Sequence, residues 1–381
     1  MQEHPLYADL TVPPKGVAQA PISVDLALTG RCNLSCKYCF YADSMTTRTD
    51  LPAGRWLDFF TELGGLGVQR VCLSGGEIFV RPDIFTLIDG VIESRMRYSI
   101  LSNGTLITEK VISSFSEGKR RLRMDSIQVS IDGSCAEIHD LSRPHKSFDR
   151  AVRGLRLLVE AKFPVTVRVT LNHHNINDLE KIAGLLIDDI GLSGFSTNEA
   201  EAMGTARCSG QNIMLSEEER RQAMKALSEL NKQYGGRIGA TAGPLARAKM
   251  VKEIEEKISR GETGIPGRGT LCSCGGVFAK MAVLHDGTMV PCNMLPTLTM
   301  GVIGMHSLKE AWLKSPAINA VRRRREIPLS ALPECAGCRY TGFCSGGCPA
   351  SVLAKSGRLI GTDSLSCFRA YAGEVEPHDT L

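Results

Sequence analysis

The chain has 381 residues, 43% of them hydrophobic, with 45 basic against 41 acidic side chains for a formal charge of +4. That length suits two domains, or one large domain with an extension, and the apolar share is ample for a packed core. No stretch approaches the roughly 20 apolar residues of a membrane helix, and Met1 to Ala20, with charges, adjacent prolines and no apolar core, is no signal peptide, so a cytoplasmic protein is expected.

From Ile22, strands alternate with helices. Ser23–Leu28 reads as a first strand and runs into Thr29-Gly30-Arg31-Cys32-Asn33-Leu34-Ser35-Cys36-Lys37-Tyr38-Cys39-Phe40. This spacing lets one loop turn three sulfurs onto a single centre. Without a nearby fourth cysteine, one iron of a 4Fe–4S cluster is left without a protein ligand, and a metal centre one ligand short is where a small molecule binds. The plainer readings are zinc, which takes four ligands and commonly paired cysteines, and three unrelated buried thiols.

Pro52–Leu66 reads as a helix, and Arg70–Leu73 as a short strand ending in Ser74-Gly75-Gly76-Glu77. Asp83–Arg95 is helical, and Tyr98–Leu101 is a strand ending in Ser102-Asn103-Gly104-Thr105. Ile127–Ile131 is a strand ending in Asp132-Gly133, and Phe148, Val152, Leu155 and Val159 share one helical face. Val165–Leu171 is a strand, and the helix around Leu179–Ile187 leads to a last strand near Phe195–Thr197. Repeated strand–helix units imply parallel strands with right-handed crossovers. Six of them predict an α/β fold with a partial, TIM-like (βα)6 barrel whose polar and glycine-rich motifs sit at the strand C-terminal ends, where such barrels place their chemistry. His173 and His174 are adjacent and point to opposite faces, which argues against a shared metal.

Ser216 and Glu219 form a capping box opening a helix to about Tyr234, and a charged helix follows over Ala246–Ser259. From Cys272 the composition changes. Cys272, Cys274, Cys292, Cys335, Cys338, Cys344, Cys348 and Cys367 place eight of the fourteen cysteines in this last quarter. In a chain without a secretion signal, clustered cysteines are more often metal ligands than disulfides. Paired zinc sites are the competing reading. A hairpin turn is expected at Asp286-Gly287, and the four arginines ending Ala317–Arg325 read as a solvated helix end. The expected divisions are an N-terminal extension over 1–21, the barrel over 22–210, a helical bridge over 211–270 and a small cysteine-rich domain over 271–381.

Cys32-x3-Cys36-x2-Cys39, with Tyr38 before the last cysteine, resembles the signature loop of radical S-adenosylmethionine (SAM) enzymes. The spacing from Cys272 to Cys367, with Gly287-x4-Cys292, resembles the SPASM extension of the peptide-modifying members of that superfamily. The resemblance implies that the open iron holds SAM and that an electron cleaves the sulfonium to methionine and a 5′-deoxyadenosyl radical. It implies SAM contacts from Tyr38, Gly75, Gly76, Glu77, Ser102, Asn103, Ser130 and Arg143. It also implies three 4Fe–4S clusters. The SAM-binding one sits on Cys32, Cys36 and Cys39. Of the two auxiliary ones, Cys335, Cys338, Cys344 and Cys367 hold the first, and Cys292 and Cys348 with Cys272 and Cys274 hold the second. Cys274 stands where the pattern has alanine, which makes it the least secure ligand. Three such clusters add roughly −5 of charge and bring the holoprotein near −1, so the basic pI is weak evidence for nucleic acid.

The expected activity is therefore oxidation, cross-linking or epimerisation of a ribosomally made peptide or a protein side chain, driven by a reductant such as flavodoxin or ferredoxin. Asn293 stands where sulfatase-maturing relatives carry an aspartate base, which demotes that activity. About twenty residues precede the first strand, too few for a leader-binding domain, so leader recognition would need a separate partner or the bridge. Cys135 and Cys208, on loops, are candidate hydrogen donors, and Cys72 reads as buried core. The alternatives are a small-molecule radical SAM dehydrogenase and, outside enzymes, an iron–sulfur electron carrier.

Overall fold

Val24, Leu26 and Leu28 are fully buried, while Ser23 and Asp25 between them stay partly exposed, the two-sided pattern of a strand with helices on one face only. In the computed structural model of the protein, which describes residues 9–45, 49–208, 213–272 and 274–371, this strand is β1 (Ser23–Thr29). The pattern recurs in β2 (Arg70–Gly75), β3 (Arg97–Ser102), β4 (Met124–Ser130), β5 (Val165–Leu171) and β6 (Phe195–Glu199). These six strands pair in chain order, all parallel. The fold is the α/β arrangement expected, with a parallel sheet followed by a cysteine-rich C-terminal region.

Helices cover one face. Ala53–Gly65 buries Trp56, Phe59, Phe60 and Leu63, and Ile84–Glu93 buries Leu87, Ile88 and Val91, each side chain contributing about 1.5–3 kcal/mol of transfer free energy. Phe148–Glu160 adds Leu155 and Leu158. The other face carries Asp25, Cys72, Ser99, Gln128 and Arg168, all partly exposed. Cys72 lies on this polar face, where the sequence reading had placed it in apolar core. It is buried enough to push its thiol up to about 11, beside Asp25 and Lys280.

Four strands lie beyond the six expected. β7 (Ile238–Ala240), within the expected bridge, pairs parallel with β6. β8 (Lys280–Val283) pairs parallel with β1 on the opposite side. β9 (Thr288–Val290) and β10 (Gly301–Val302) extend the sheet antiparallel, and Gly287 at φ +88° makes the hairpin turn expected at Asp286-Gly287. The order is β10-β9-β8-β1-β2-β3-β4-β5-β6-β7. The capping box opens Glu217–Gln233, with both the Ser216 and Glu219 hydrogen bonds formed. Glu199, at the end of β6, is buried between Arg220 at 2.7 Å and Arg247 at 2.5 Å, which pins this helix and the next, Gly243–Ser259, to the sheet.

The arginine run is not a solvated helix end. Arg322 and Arg324 are fully buried. Arg322 donates to the carbonyls of Val277 at 2.8 Å and Trp312 at 2.7 Å and lies 4.2 Å over the Trp312 ring. Arg324 donates to the Cys272 carbonyl at 2.8 Å. Backbone acceptors and an aromatic face take the place of a carboxylate, so these arginines brace the cysteine-rich region. Among the described residues no helix is long and apolar enough to cross a membrane.

Candidate active site

The loop bearing Cys32, Cys36 and Cys39 leaves the C-terminal end of β1 and is gripped from several sides. Asp50 accepts from the Gly30 N–H at 2.7 Å and the Thr29 hydroxyl at 2.6 Å. The end of β2 lies along the loop backbone, with the Gly76 N–H donating to Thr29 O at 2.8 Å and the Glu77 N–H to Arg31 O at 2.9 Å. A Cβ at Gly76 would sit 2.2 Å from Arg31 O, so only glycine allows that approach. From beyond β6, the Thr205 hydroxyl accepts from the Cys39 N–H at 2.8 Å and donates to the Cys36 carbonyl at 2.9 Å. A Cβ at the preceding Gly204 would meet Cys39 O at 2.0 Å.

Glu77 is buried behind this loop. Its carboxylate accepts from the Ser102 hydroxyl at 2.9 Å, the Asn103 N–H at 2.7 Å and the Phe79 N–H at 3.3 Å. It therefore ties the ends of β2 and β3 together. Asn103 Nδ2 donates to Asn33 Oδ1 at 2.9 Å and stands 4.0 Å from the Cys32 sulfur. Burial pushes the Glu77 carboxyl up to about 7, against those hydrogen bonds and Arg143. Because the folded value exceeds the unfolded one of about 4.5, the folded chain keeps a proton through this window that the unfolded chain has released. Stability should thus fall as pH rises from 4.5 to 7 and level off above, by about 3 kcal/mol in all. Denaturant unfolding of the cluster-free chain at pH 5 and pH 8 measures this, and Glu77→Gln should remove that share of the difference.

Asp132, just past β4, is the hub. It is fully buried, with one carboxylate oxygen taking Arg143 Nε at 2.5 Å and the Tyr38 hydroxyl, and the other taking the Thr170 N–H at 2.7 Å. Its own N–H donates to His139 Nδ1 at 3.1 Å. Burial and Arg143 push that imidazole down to about 4, so it is neutral. Arg143 Nη1 lies 3.8 Å from the Cys36 sulfur. Burial works against the Arg143 charge, yet Asp132 carries its pKa above the ordinary arginine value. Ser130 closes β4 beside this hub.

All eight residues expected to contact SAM thus surround the cysteine loop or the strand ends facing it. Five of their side chains already have partners within the site, Tyr38 and Arg143 on Asp132, Glu77 with Ser102, and Asn103 with Asn33. The sequence places Asp132 at the end of the Ile127–Ile131 strand and gives it no role. Nor does it single out Asn33, His139, Asp50 or Thr205. A polar residue at a strand C-terminal end was the available signal for Asp132. His173 pairs with Glu219 at 2.5 Å, and His174 is shifted down by burial.

The second cysteine field divides in two. Cys335 feels Cys344, Cys338 and Cys367, and burial with Glu334 pushes its thiol up to about 11. Cys292, likewise pushed up to about 11 by burial, feels Cys348 and Cys274. Cys272 stands next to that second group, its sulfur accepting the Cys274 N–H at 3.0 Å. Cys274 adopts φ +62°, in the left-handed region that favours glycine. Cys135 lies at the head of the helix Ala136–Ser142, and the Cys208 side chain falls outside the described residues.

The first loop fits an iron–sulfur cluster with one open iron. Its donors are soft thiols, which suit such clusters and zinc, and burial pushes Cys36 up to about 11. Among the described residues, no three His, Cys, Asp or Glu side chains are gathered tightly enough to hold a single ion. Family models agree with both fields. That of the radical SAM superfamily matches residues 26–186, and that of SPASM, an iron–sulfur cluster-binding domain, matches 272–339. The chain is similar to the AdoMet-dependent heme synthase of Methanosarcina barkeri, 26% identical and covering 93% of this chain and 98% of that one. It is also similar to the PqqA peptide cyclase of Ruegeria pomeroyi, at 24% identity with 94% and 90% covered. The structure of Streptococcus suis SuiB bound to its precursor peptide SuiA shares the fold, with a TM-score of 0.67 at 16% identity over 92% of this chain and 76% of that one.

Proposed function

The chain belongs to the radical SAM superfamily and carries a SPASM domain, and on that footing we propose that it modifies a ribosomally made peptide or a protein side chain by SAM-dependent hydrogen abstraction. With a 4Fe–4S cluster on Cys32, Cys36 and Cys39 and SAM bound, the site supplies one-electron cleavage of the sulfonium. The protein's part is positional. Thr205 and Gly76 hold the thiol loop against the sheet ends, and Asp132 aims Arg143 and Tyr38. Gly75, Gly76, Glu77, Ser102, Asn103 and Ser130 form the ring of polar groups around SAM. The observation that carries the reading is the set of three thiols on one loop, with the Arg143 guanidinium 3.8 Å from the Cys36 sulfur.

Cys335, Cys338, Cys344 and Cys367 would hold one auxiliary cluster and Cys272, Cys274, Cys292 and Cys348 the other, to accept or relay the electron released on oxidation. A flavodoxin or ferredoxin would supply the first electron, and a separate protein would present any leader. The enzyme so proposed would work in the cytoplasm, with neither nucleic acid nor membrane as a partner. The PqqA cyclase and SuiB likenesses favour a peptide. The heme synthase likeness, which spans both chains almost fully, supports a second reading, oxidation of a small molecule.

Anaerobically purified protein should contain about twelve iron atoms per chain. It should release 5′-deoxyadenosine when given SAM and dithionite. A peptide encoded beside it should lose hydrogen by mass under the same conditions. Full iron content with no nucleoside would sink the proposal. Nucleoside with unchanged peptide and a consumed small molecule would select the second reading.

A further inference from the structure

Four basic residues lie on the strands, and three of them have a carboxylate on another strand. Arg70 and Arg97 pair with Asp125, and Lys280 pairs with Asp25 at 3.0 Å. The fourth, Arg168 on β5, has none among the described residues. Its Nε donates to Gln128 Oε1 at 3.3 Å and its Nη1 to the Thr197 carbonyl at 3.4 Å. Both acceptors are neutral, and among the described residues Nη2 forms no hydrogen bond. Burial alone lowers its pKa, with no charged group contributing. A half-buried cation without a counter-charge is a standing cost.

Arg168 belongs to the face of the sheet away from the helices. Val167 and Val169, on either side of it, are fully buried in the core. It pairs in register with Ser130 on one side and Ser196 on the other. It is therefore level with the strand end where SAM is expected. Asn198, two residues along β6 from Ser196 on the same face, has a buried Oδ1 with no hydrogen-bond partner. Arg143 is already paired with Asp132 at 2.5 Å, so among the described strand residues Arg168 is the cation left to a ligand.

We propose that Arg168 and Asn198 form a substrate subsite, Arg168 receiving a carboxylate and Asn198 an N–H, as an acidic residue of a peptide would supply. The guanidinium fork suits a carboxylate, and the amide oxygen takes the main-chain donor beside it. This deepens the proposed function and rests on that face being the reaction chamber.

The test uses cluster-loaded protein with SAM bound, in wild-type, Arg168→Gln and Arg168→Lys forms. The probes are two fluorescent pools of end-blocked octapeptides, one centred on Glu and one on Gln, and separately succinate against succinamide. Wild type should prefer the Glu pool by about tenfold or more. Arg168→Gln should bind both pools alike and Arg168→Lys should keep part of the preference, with SAM affinity and iron content unchanged. A preference for succinate lost in Arg168→Gln, without any preference between the peptide pools, would keep the carboxylate site and reject the peptide. Equal binding of acid and amide by wild type would overturn the proposal. So would a preference that survives in Arg168→Gln, or a loss of SAM affinity in its place.

Discussion

Cys36→Ser should remove about four of about twelve iron atoms per chain and cut 5′-deoxyadenosine formation by more than about a hundredfold, since even outer-shell partners of a metal ligand cost 10–100-fold. The substitution is nearly isosteric and keeps the Cys36 carbonyl, which takes the Thr205 hydroxyl at 2.9 Å. The loss therefore reports on the soft donor and not on the loop. Serine oxygen is a poor ligand for a cluster that thiolates hold. Cys72→Ser is the matched control. Its thiol faces Asp25 and Lys280 on β1 and β8, outside both cysteine fields, and iron content should not change. Iron assay and nucleoside chromatography decide it. Wild-type iron and nucleoside in Cys36→Ser would remove this loop from the chemistry.

Asp132→Ala should destabilise the protein by about 3–5 kcal/mol, the usual cost of leaving a buried charge without its partner. It strands Arg143, which is 8% exposed and has no other carboxylate among the described residues. It also frees the Tyr38 hydroxyl and the Thr170 N–H. The denaturant midpoint measures the first effect, and SAM affinity of the cluster-loaded protein measures the second. Asp132→Asn separates the two roles. Its amide can still accept from Thr170 or Arg143, so the share of the stability that rests on those hydrogen bonds should return, while the Arg143 charge stays uncompensated. The charge that holds Arg143 and Tyr38 in place would not return, and SAM affinity should stay low. Wild-type SAM affinity in both variants would make Asp132 a packing residue only.

Charged side chains of the sheet and of the loop after β6 lie close to cysteines of the second field. Lys280 on β8 feels Asp25, Cys72 and Cys292 together. Cys348 accepts a hydrogen bond from Ser351, whose hydroxyl also reaches Glu201 at 3.4 Å. Glu201 follows β6 and is itself pushed up to about 7 by burial and by Asp363 and Glu199.

What the sequence determined by itself is local in the chain. The Cys32, Cys36 and Cys39 spacing, Gly75-Gly76-Glu77 at a strand end, the Ser216–Glu219 capping box and the Asp286-Gly287 turn each span a dozen residues or fewer, and each was readable because loop and turn geometry act at that range. The alternation of apolar and polar residues likewise marked the first six strands. Tertiary structure decided the rest. Tyr38 meets Asp132 from 94 residues away, and Thr205 meets Cys39 from 166 away. Strand pairing chose Ser130 and Ser196 as the neighbours of Arg168 and left it without a carboxylate, while Arg322 and Arg324 found carbonyls instead of water. Such partnerships depend on register and burial, which no short stretch of chain encodes, because whether a charge is solvated, paired or left waiting is settled only when distant strands are laid side by side.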